Sequence, residues 1–182
     1  MTVRANKPAF NVREKLKSLD YSHVPYEKMP PGSVVQHKFK TIATASSYSG
    51  SGQKYTGLNV EIAPKFASSL LAIQIAPQYR SSGTYDHGVG FYIFRSIAGG
   101  AETSILSPAT NYEYYHWDGN SAGVDNFDLR QRAIILAHDY PTTTESINYK
   151  LYFQPYTTAN SNILTFCDNN NRSFMHIWEI RQ

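Results

Sequence analysis

A strict alternation of apolar and polar residues near the end of the chain constrains the fold more than any other feature. The segment Ile147–Pro155 reads INYKLYFQP, and its apolar positions are Ile147, Tyr149, Leu151 and Phe153. A period of two places one set of side chains on the buried face of a β-strand and the other set on its exposed face. Similar short segments, separated by turn residues at roughly 8–12-residue intervals, follow residue 33. The pattern predicts an all-β protein, an antiparallel β-sandwich of the jelly-roll type, rather than βαβ units.

Ten segments of this region are predicted to be strands. They are Val34–Ala43, Leu58–Ile62, Ser69–Ala76, His87–Ile97, Thr103–Leu106, Tyr112–Trp117, Ala133–His138, Ile147–Pro155, Asn162–Cys167 and Ser173–Ile180. Two segments rich in Gly, Ser, Asn or Asp, Tyr48–Gln53 and Asp118–Asn126, are predicted to be loops, because these residues favour turns. Within the last strand, His176 alternates with Phe174 and Trp178, so we expect it to be a packed aromatic residue rather than a metal ligand.

Residues 1–32 differ from the rest, which divides the chain into an N-terminal arm and a β-domain of residues 33–182. Asn11 followed by Glu14 resembles a capping box, and a short helix over about residues 11–19 would align apolar side chains on one face. A Pro-rich linker, with Pro25, Pro30 and Pro31, follows this helix. We expect the arm to attach the chain to other proteins. The predicted docking residues are Phe10, Val12, Leu16, Leu19, Lys15 and Lys17.

The charge of the chain is divided unevenly. Residues 1–40 carry eight Lys/Arg and three Asp/Glu, a net +5, whereas residues 41–182 carry nine and eleven, a net −2. A basic arm on a near-neutral body fits docking to an acidic partner or is simply a solvated tail. We do not expect nucleic acid as a partner. No apolar stretch approaches the ~20 residues that span a bilayer, so we expect no membrane insertion.

The sequence contains no catalytic motif: GxSxG, the P-loop, HExxH and CxxC are all absent. Cys167 is the single cysteine and follows apolar residues, which predicts a core position. Asp118 with Asp125 or Asp128 could form the carboxylate pair of a glycosidase, although Asp is also common in turns. We therefore expect a protein that is not an enzyme and that uses no cofactor and no metal; a glycan-active enzyme remains an alternative.

An aromatic segment, YEYYHWD at residues 112–118, suggests a binding surface. Aromatic rings stack on the C–H faces of sugars, and neighbouring Asp, Asn and His can hydrogen-bond to hydroxyl groups. The predicted glycan-binding residues are Tyr114, Tyr115, His116, Trp117, Asp118 and Asn120, together with Tyr85 from the loop-like segment Tyr79–His87. The alternative is that alternate members of this segment face the core, because a strand in a sandwich buries one face.

Four segments, taken in order, carry a resemblance to a known family. They are PGSVVQ at Pro31–Gln36, SLLAIQI at Ser69–Ile75, GVGFYIFR at Gly88–Arg95 and SFMHIWEI at Ser173–Ile180. Together they resemble small virion proteins of marine and freshwater phages, including cyanophages. The segment NKPAFNVREKL at Asn6–Leu16 is similar to the attachment segment of phage structural proteins.

This resemblance implies a β-sandwich located in the virion, usually homotrimeric and fixed by its N terminus. It implies roles in tail or head fibres, receptor binding or capsid decoration, and it supplies no catalytic residues. We expect a tail- or fibre-type structural protein that attaches to other virion proteins through residues 1–32 and presents its β-domain to a host-surface glycan. A capsid decoration or neck protein, which stabilises the head without a receptor role, is the alternative.

Overall fold

The computed structural model describes residues 25–83, 87–110, 113–117, 127–156 and 163–182, with only the backbone of residues 115–117 and 127. The predicted helix at residues 11–19 lies outside these ranges. The described chain is built from strands and two single-turn 3-10 helices, Tyr26–Lys28 and Asp168–Asn170. The strands are β1 (Val34–Ile42), β2 (Ser46–Tyr48), β3 (Lys54–Ile62), β4 (Leu70–Ala76), β5 (Gln78–Gly83), β6 (His87–Ile97), β7 (Thr103–Leu106), β8 (Tyr115–Trp117), β9 (Phe127–Arg132), β10 (Ile135–Asp139), β11 (Ile147–Pro155), β12 (Ile163–Phe166) and β13 (Ser173–Ile180).

One layer of the sandwich is formed by two four-stranded antiparallel sheets. Its first half has the order β1-β13-β4-β10 and its second half the order β2-β12-β5-β9. The strands of the two halves correspond one to one, because β1 is followed in the chain by β2, β4 by β5, β9 by β10 and β12 by β13. The two halves therefore share one strand order. Pro77 separates β4 from β5, since proline has no N–H to continue the ladder. Cys167, between β12 and β13, adopts a left-handed backbone with φ of 55°.

The second layer has the order β3-β11-β6-β7, with the short strand β8 paired to β6. The combined order of the two layers is that of a jelly roll, in which long antiparallel strands form two Greek keys. The predicted fold class, an all-β antiparallel sandwich of the jelly-roll type, is confirmed. Among the described residues, no helix is long and apolar enough to cross a membrane.

The hydrophobic core lies between the two layers and follows the alternation of the strands. In β11, Ile147, Tyr149, Leu151 and Phe153 are at most 1% exposed, as the sequence predicts. They pack with aliphatic residues of β3, β4 and β6 and with Met175 and Ile177 of β13. Cys167 is fully buried in this core, which confirms its predicted position. Removing this apolar surface from water supplies the main favourable free energy of folding.

Three strands, β2, β5 and β9, were not expected from the sequence, and β3 begins at Lys54 rather than Leu58. Strand β5, with the sequence QYRSSG, overlaps the segment Tyr79–His87 that was expected to be loop-like. It is held by backbone pairing on both sides, to β12 and to β9. Such polar segments become strands because their neighbours complete the ladder, not because of their own propensity.

The described end of the N-terminal arm contacts the last strand. The guanidinium of Arg181 donates hydrogen bonds to the carbonyl oxygens of Glu27 (2.8 Å) and Met29. The backbone N–H of Gly32 donates to the carbonyl of Arg181 at 2.7 Å. The ring of Tyr26 packs edge-on against Phe66, 5.5 Å between centroids. The arm therefore leaves the sandwich beside the end of β13.

Candidate functional site: an aromatic sheet face

The outer face of β1-β13-β4-β10 carries large apolar side chains, although antiparallel sandwich strands usually direct polar residues outward. We call this surface the aromatic face. Its residues are His37 and Phe39 of β1, Phe174, His176 and Trp178 of β13, Leu136 and His138 of β10, and Ile134 just before β10. The intervening β13 residues, Met175 and Ile177, are fully buried in the core, so the alternation directs their neighbours outward.

The strand register assembles the face in rows. His37 lies opposite Trp178, which lies opposite Ala72, which in turn lies opposite His138. The next row joins Phe39 and His176 to Gln74 and Leu136 by the same pairings. Side chains directly opposite in an antiparallel pair have Cβ atoms about 5 Å apart, so each row forms a continuous surface.

This surface is open to solvent. Phe39 is 64% exposed, Leu136 is 71% exposed and Ile134 is 67% exposed. Single exposed apolar residues are common on soluble proteins, but here Phe39 belongs to a cluster of aromatic rings, and Ile134 and Leu136 lie on the same face one strand beyond it. Contiguous exposed patches of this kind mark sites of interaction with another molecule.

Four rings of the aromatic face are nearly parallel. The planes of His37, Phe39, His176 and Trp178 lie within 16° of one another in five contacts, with centroids 5.0–5.7 Å apart. His37 Nε2 and His176 Nδ1 are 2.9 Å apart. Because a ring N–H lies in the ring plane, these two histidines lie side by side. Phe174 adds an edge-on contact to His176, at 5.2 Å and 83°. Aromatic contacts of this type contribute about 0.5–1.5 kcal/mol beyond area burial.

The electrostatics of the face favour a neutral surface. Burial lowers the pKa of His176 below its ordinary value, and the neighbouring His37 lowers it further. The residues that define the face include no carboxylate. At neutral pH His176 is therefore uncharged, and the surface is suited to contact with another apolar surface.

The other half of the same layer, β2-β12-β5-β9, carries charged residues on its outer surface instead of aromatic ones. Arg80 donates two hydrogen bonds to Asp128, at 2.7 and 2.9 Å, and Arg130 donates to Asp168 at 2.6 Å. The hydrogen bond from Arg80 lowers the pKa of Asp128. A carboxylate held ionised in this way is a poor proton donor, which weighs against Asp128 as the acid of a glycosidase pair. Asp118 and Asp125 lie outside the described residues.

The predicted glycan platform is described only in part. Tyr114 is partly buried against Phe91, with centroids 5.5 Å apart, and this burial raises its pKa. The backbone of Tyr115, His116 and Trp117 forms β8, which pairs with the start of β6. Several predicted site residues lie outside the described residues. They are Asp118, Asn120 and Tyr85 of the glycan site, and Phe10, Val12, Leu16, Leu19, Lys15 and Lys17 of the arm.

The aromatic face was not predicted as a site from the sequence. The signal was present in SFMHIWEI, where both alternating sets, Phe174/His176/Trp178 and Met175/Ile177, are large. A strand of this kind is typical of burial on both sides. His176 is a packed aromatic residue, as predicted. Across the described ranges, no group of three or more His, Cys, Asp or Glu side chains could hold a metal ion.

No protein-family model and no curated protein matches the chain. Among the solved structures that it is similar to are several from infectious bursal disease virus. A structure of the Gt strain gives a TM-score of 0.35 at 11% identity over 82% of this chain and 38% of that chain. The VP2 subviral particle gives 0.33 at 14% identity over the same shares. The T13 viral particle gives 0.37 at 11% identity, over 82% and 36%. The chain thus spans less than two-fifths of these viral particle proteins.

Proposed function

We propose that this chain is a non-enzymatic structural protein of a phage virion and that a second copy of the chain covers its aromatic face. The observation that carries this proposal is the solvent-facing cluster of Phe39, His176 and Trp178, with the exposed Leu136 on the same face beyond Gln74 of β4. Soluble monomers rarely leave such a surface open. The jelly roll is one of the folds from which viral shells are built. The resemblance of the chain to phage virion proteins supplies the biological setting.

The composition of the face favours another copy as its occupant. The centres of protein interfaces are poor in charged residues and rich in aromatic ones, as this face is. The defining residues of the face include no Asp, Glu, Lys or Arg, and the nearest guanidinium, of Arg132, lies at its edge, 5.9 Å from the ring centroid of Phe174. The resemblance implies that three copies assemble, and the measured mass of the complex tests this number.

The arm supplies the attachment to the particle. Its described part, residues 25–32, is held by Arg181 at the end of β13. We propose that the arm binds another virion protein, and that the β-domain projects as a tail- or fibre-type component that contacts the host surface.

The experiment is a measurement of mass in solution by light scattering at several concentrations of the full chain. We expect the wild type to associate, and Phe39→Ser and Leu136→Ser to weaken association by about tenfold or more. Both side chains are exposed, so the variants should fold. The matched control is Ile163→Ser, which removes an aliphatic residue, 41% exposed, from the other half of the layer. A wild type that stays monomeric at every concentration would refute the proposal.

Immunogold labelling of intact virions tests the location. Gold at tail or fibre ends supports a fibre-type component, whereas gold spread over the head identifies a decoration protein. An assay for reducing sugar released from host polysaccharide tests the absence of enzymatic activity, and we expect no release.

A further inference from the structure

We propose that the outer face of the second layer carries a binding site for a neutral saccharide. The site is a cavity of about 330 Å³, which we call the polar trough. Its polar lining comprises Glu61, Ser96, Glu102, Ser146, Asn148 and Lys150. The volume lies at the small end of the range for ligand pockets, about 300–1,000 Å³, which suits one or two sugar units. The biological setting of the site rests on the proposed function; its chemistry does not.

The register of three strands builds the trough. Asn148 of β11 pairs with Glu61 of β3 on one side and with Ser96 of β6 on the other. Glu61 and Asn148 alternate with buried core residues, so their side chains point outward, whereas Ser96, at the floor of the trough, is only 6% exposed. The turn Ala98–Gly100 closes one end of the trough, where the N–H of Ala98 donates to the carbonyl of Ser146 at 2.8 Å. Gly99 has a φ of 73°, which favours glycine, and leaves the rim without a side chain.

Hydrogen bonds hold the polar side chains of the trough in place, but these side chains retain unused donors and acceptors. Lys150 Nζ donates to Glu102 Oε1 at 2.5 Å, and Ser146 Oγ donates to Glu61 Oε1 at 2.5 Å. A carboxylate can accept about four hydrogen bonds, so both retain acceptor capacity. Asn148 accepts from Asn59 through Oδ1 at 3.0 Å, which leaves its own two N–H donors for another acceptor. Donors and acceptors on one rim match a ligand rich in hydroxyl groups.

Aromatic rings continue the same outer face beyond Lys150. Tyr152 lies 5.4 Å from Tyr55 and 5.0 Å from Phe94, measured between ring centroids. Its hydroxyl donates to Glu102 at 2.9 Å, and burial together with this contact raises the pKa of Tyr152 to about 12. The rings offer an apolar surface for the C–H face of a pyranose beside groups that bind its hydroxyls. This combination distinguishes a saccharide from a purely apolar ligand.

The charges of the residues that line the trough favour a neutral saccharide over an anionic one. The lining holds two carboxylates, of Glu61 and Glu102, against one ammonium, of Lys150. Anionic sugars such as uronic acids would be repelled at these distances. The trough and the aromatic face lie on opposite layers of the sandwich. Copies can therefore pack through the aromatic face while the trough stays open to a surface polysaccharide.

The experiment is saturation-transfer NMR on the full chain with four neutral probes and one acidic one. The neutral probes are the methyl glycosides of glucose, galactose, mannose and N-acetylglucosamine, and the acidic probe is glucuronic acid. We expect at least one neutral probe to bind and glucuronic acid not to bind. Glu61→Gln and Asn148→Ala should each weaken binding by about tenfold, the effect of one lost hydrogen bond. The matched control, Asp128→Asn, removes a carboxylate from the opposite layer and should bind as the wild type does.

Two results would overturn the site: no neutral probe binds at tens of millimolar, or binding persists unchanged in both trough variants. Far-UV circular dichroism of each variant confirms that it is folded. The same samples, measured for mass, report on the aromatic face separately, so a failure of the trough is distinct from a failure of assembly. Tighter binding of longer neutral oligosaccharides would support a surface polysaccharide as the source of the ligand.

Discussion

His37 and His176 share one hydrogen bond between the first and the last strand of the jelly roll, with 2.9 Å between Nε2 and Nδ1. One ring must donate and the other must accept. The bond is therefore compatible with one charged ring and is lost when both rings are protonated. Because these rings lie within the aromatic face, their protonation also sets the charge of that surface.

The stability of the protein should fall as the solution is acidified. Burial, and the neighbouring His37, lower the pKa of His176 in the folded state. Between that lowered pKa and about 6.5, the ordinary value, the unfolded chain binds more protons than the folded one. The contribution is therefore complete above about pH 6.5 and is lost as the pH falls through the folded pKa. Urea unfolding at several pH values measures it.

The histidine variants make this prediction specific. His176→Gln should remove most of the pH dependence, whereas His138→Gln, an exposed histidine of the same face, should retain it. The association of copies through the aromatic face should weaken over the same pH range. A free energy of unfolding that does not change between about pH 7.5 and pH 5 would contradict the role of His176.

Glu179 should be among the side chains most sensitive to replacement. It is fully buried, and its carboxylate accepts four hydrogen bonds. The donors are Lys65 N at 2.7 Å, Phe66 N at 3.1 Å, Ser69 Oγ at 2.6 Å and Gln36 Nε2 at 2.6 Å. Glu179→Ala leaves these donors without their acceptor, and we expect a loss of about 3 kcal/mol or more in the free energy of unfolding.

Two further variants calibrate this measurement. Glu179→Gln keeps one carbonyl oxygen and should cost less than Glu179→Ala. Glu27→Ala, at an exposed position, should change stability by no more than about 0.5 kcal/mol. Equal losses for Glu179→Ala and Glu27→Ala would show that the buried carboxylate does not hold the loop between β3 and β4.

A partly buried contact connects the two layers. The hydroxyl of Tyr149, on β11, donates to Asp139, at the end of β10, at 2.7 Å, and Arg95 of β6 donates to both oxygens of the same carboxylate at 2.6 Å. Burial first, and then Asp139, raise the pKa of Tyr149 far above its ordinary value, so the hydroxyl remains a donor. We expect Tyr149→Phe to lose about 1–2 kcal/mol.

A double-mutant cycle tests whether this contact acts as a unit. Tyr149→Phe combined with Asp139→Asn should cost less than the sum of the single variants, because both remove the same hydrogen bond. The free energies come from urea unfolding at neutral pH. Tyr140→Phe, at a tyrosine that is 54% exposed, serves as the reference. Strict additivity would mean that the contact contributes little to holding the layers together.

The strands with a clear alternation were predictable because their own residues specify one buried face. Ile147–Pro155 is found as a strand with the predicted bounds, and Ser173–Ile180 likewise. Strands β2, β5 and β9 were not predictable, since Ser46–Tyr48 and Gln78–Gly83 have short or polar sequences. Their extended backbone is stabilised by hydrogen bonds to strands that are distant in the chain.

The polar trough was also beyond prediction from the sequence. Asn148 and Lys150 could be assigned to the outer face of β11 from alternation alone. Glu61 and Ser96 join them only because β3 and β6 pair with β11 in one particular register. A shift of that register by one residue would direct these side chains to the core, so the site depends on the pairing of the strands.

The sequence by itself determined that the chain folds as an all-β sandwich with one face of each long strand and Cys167 in the core, because alternation and burial are local properties of a strand. Only the tertiary structure decided which outward side chains meet. His37 and His176 are 139 residues apart in the chain, and they become neighbours because β1 pairs with β13. The aromatic face is a product of that long-range pairing, which no local pattern encodes.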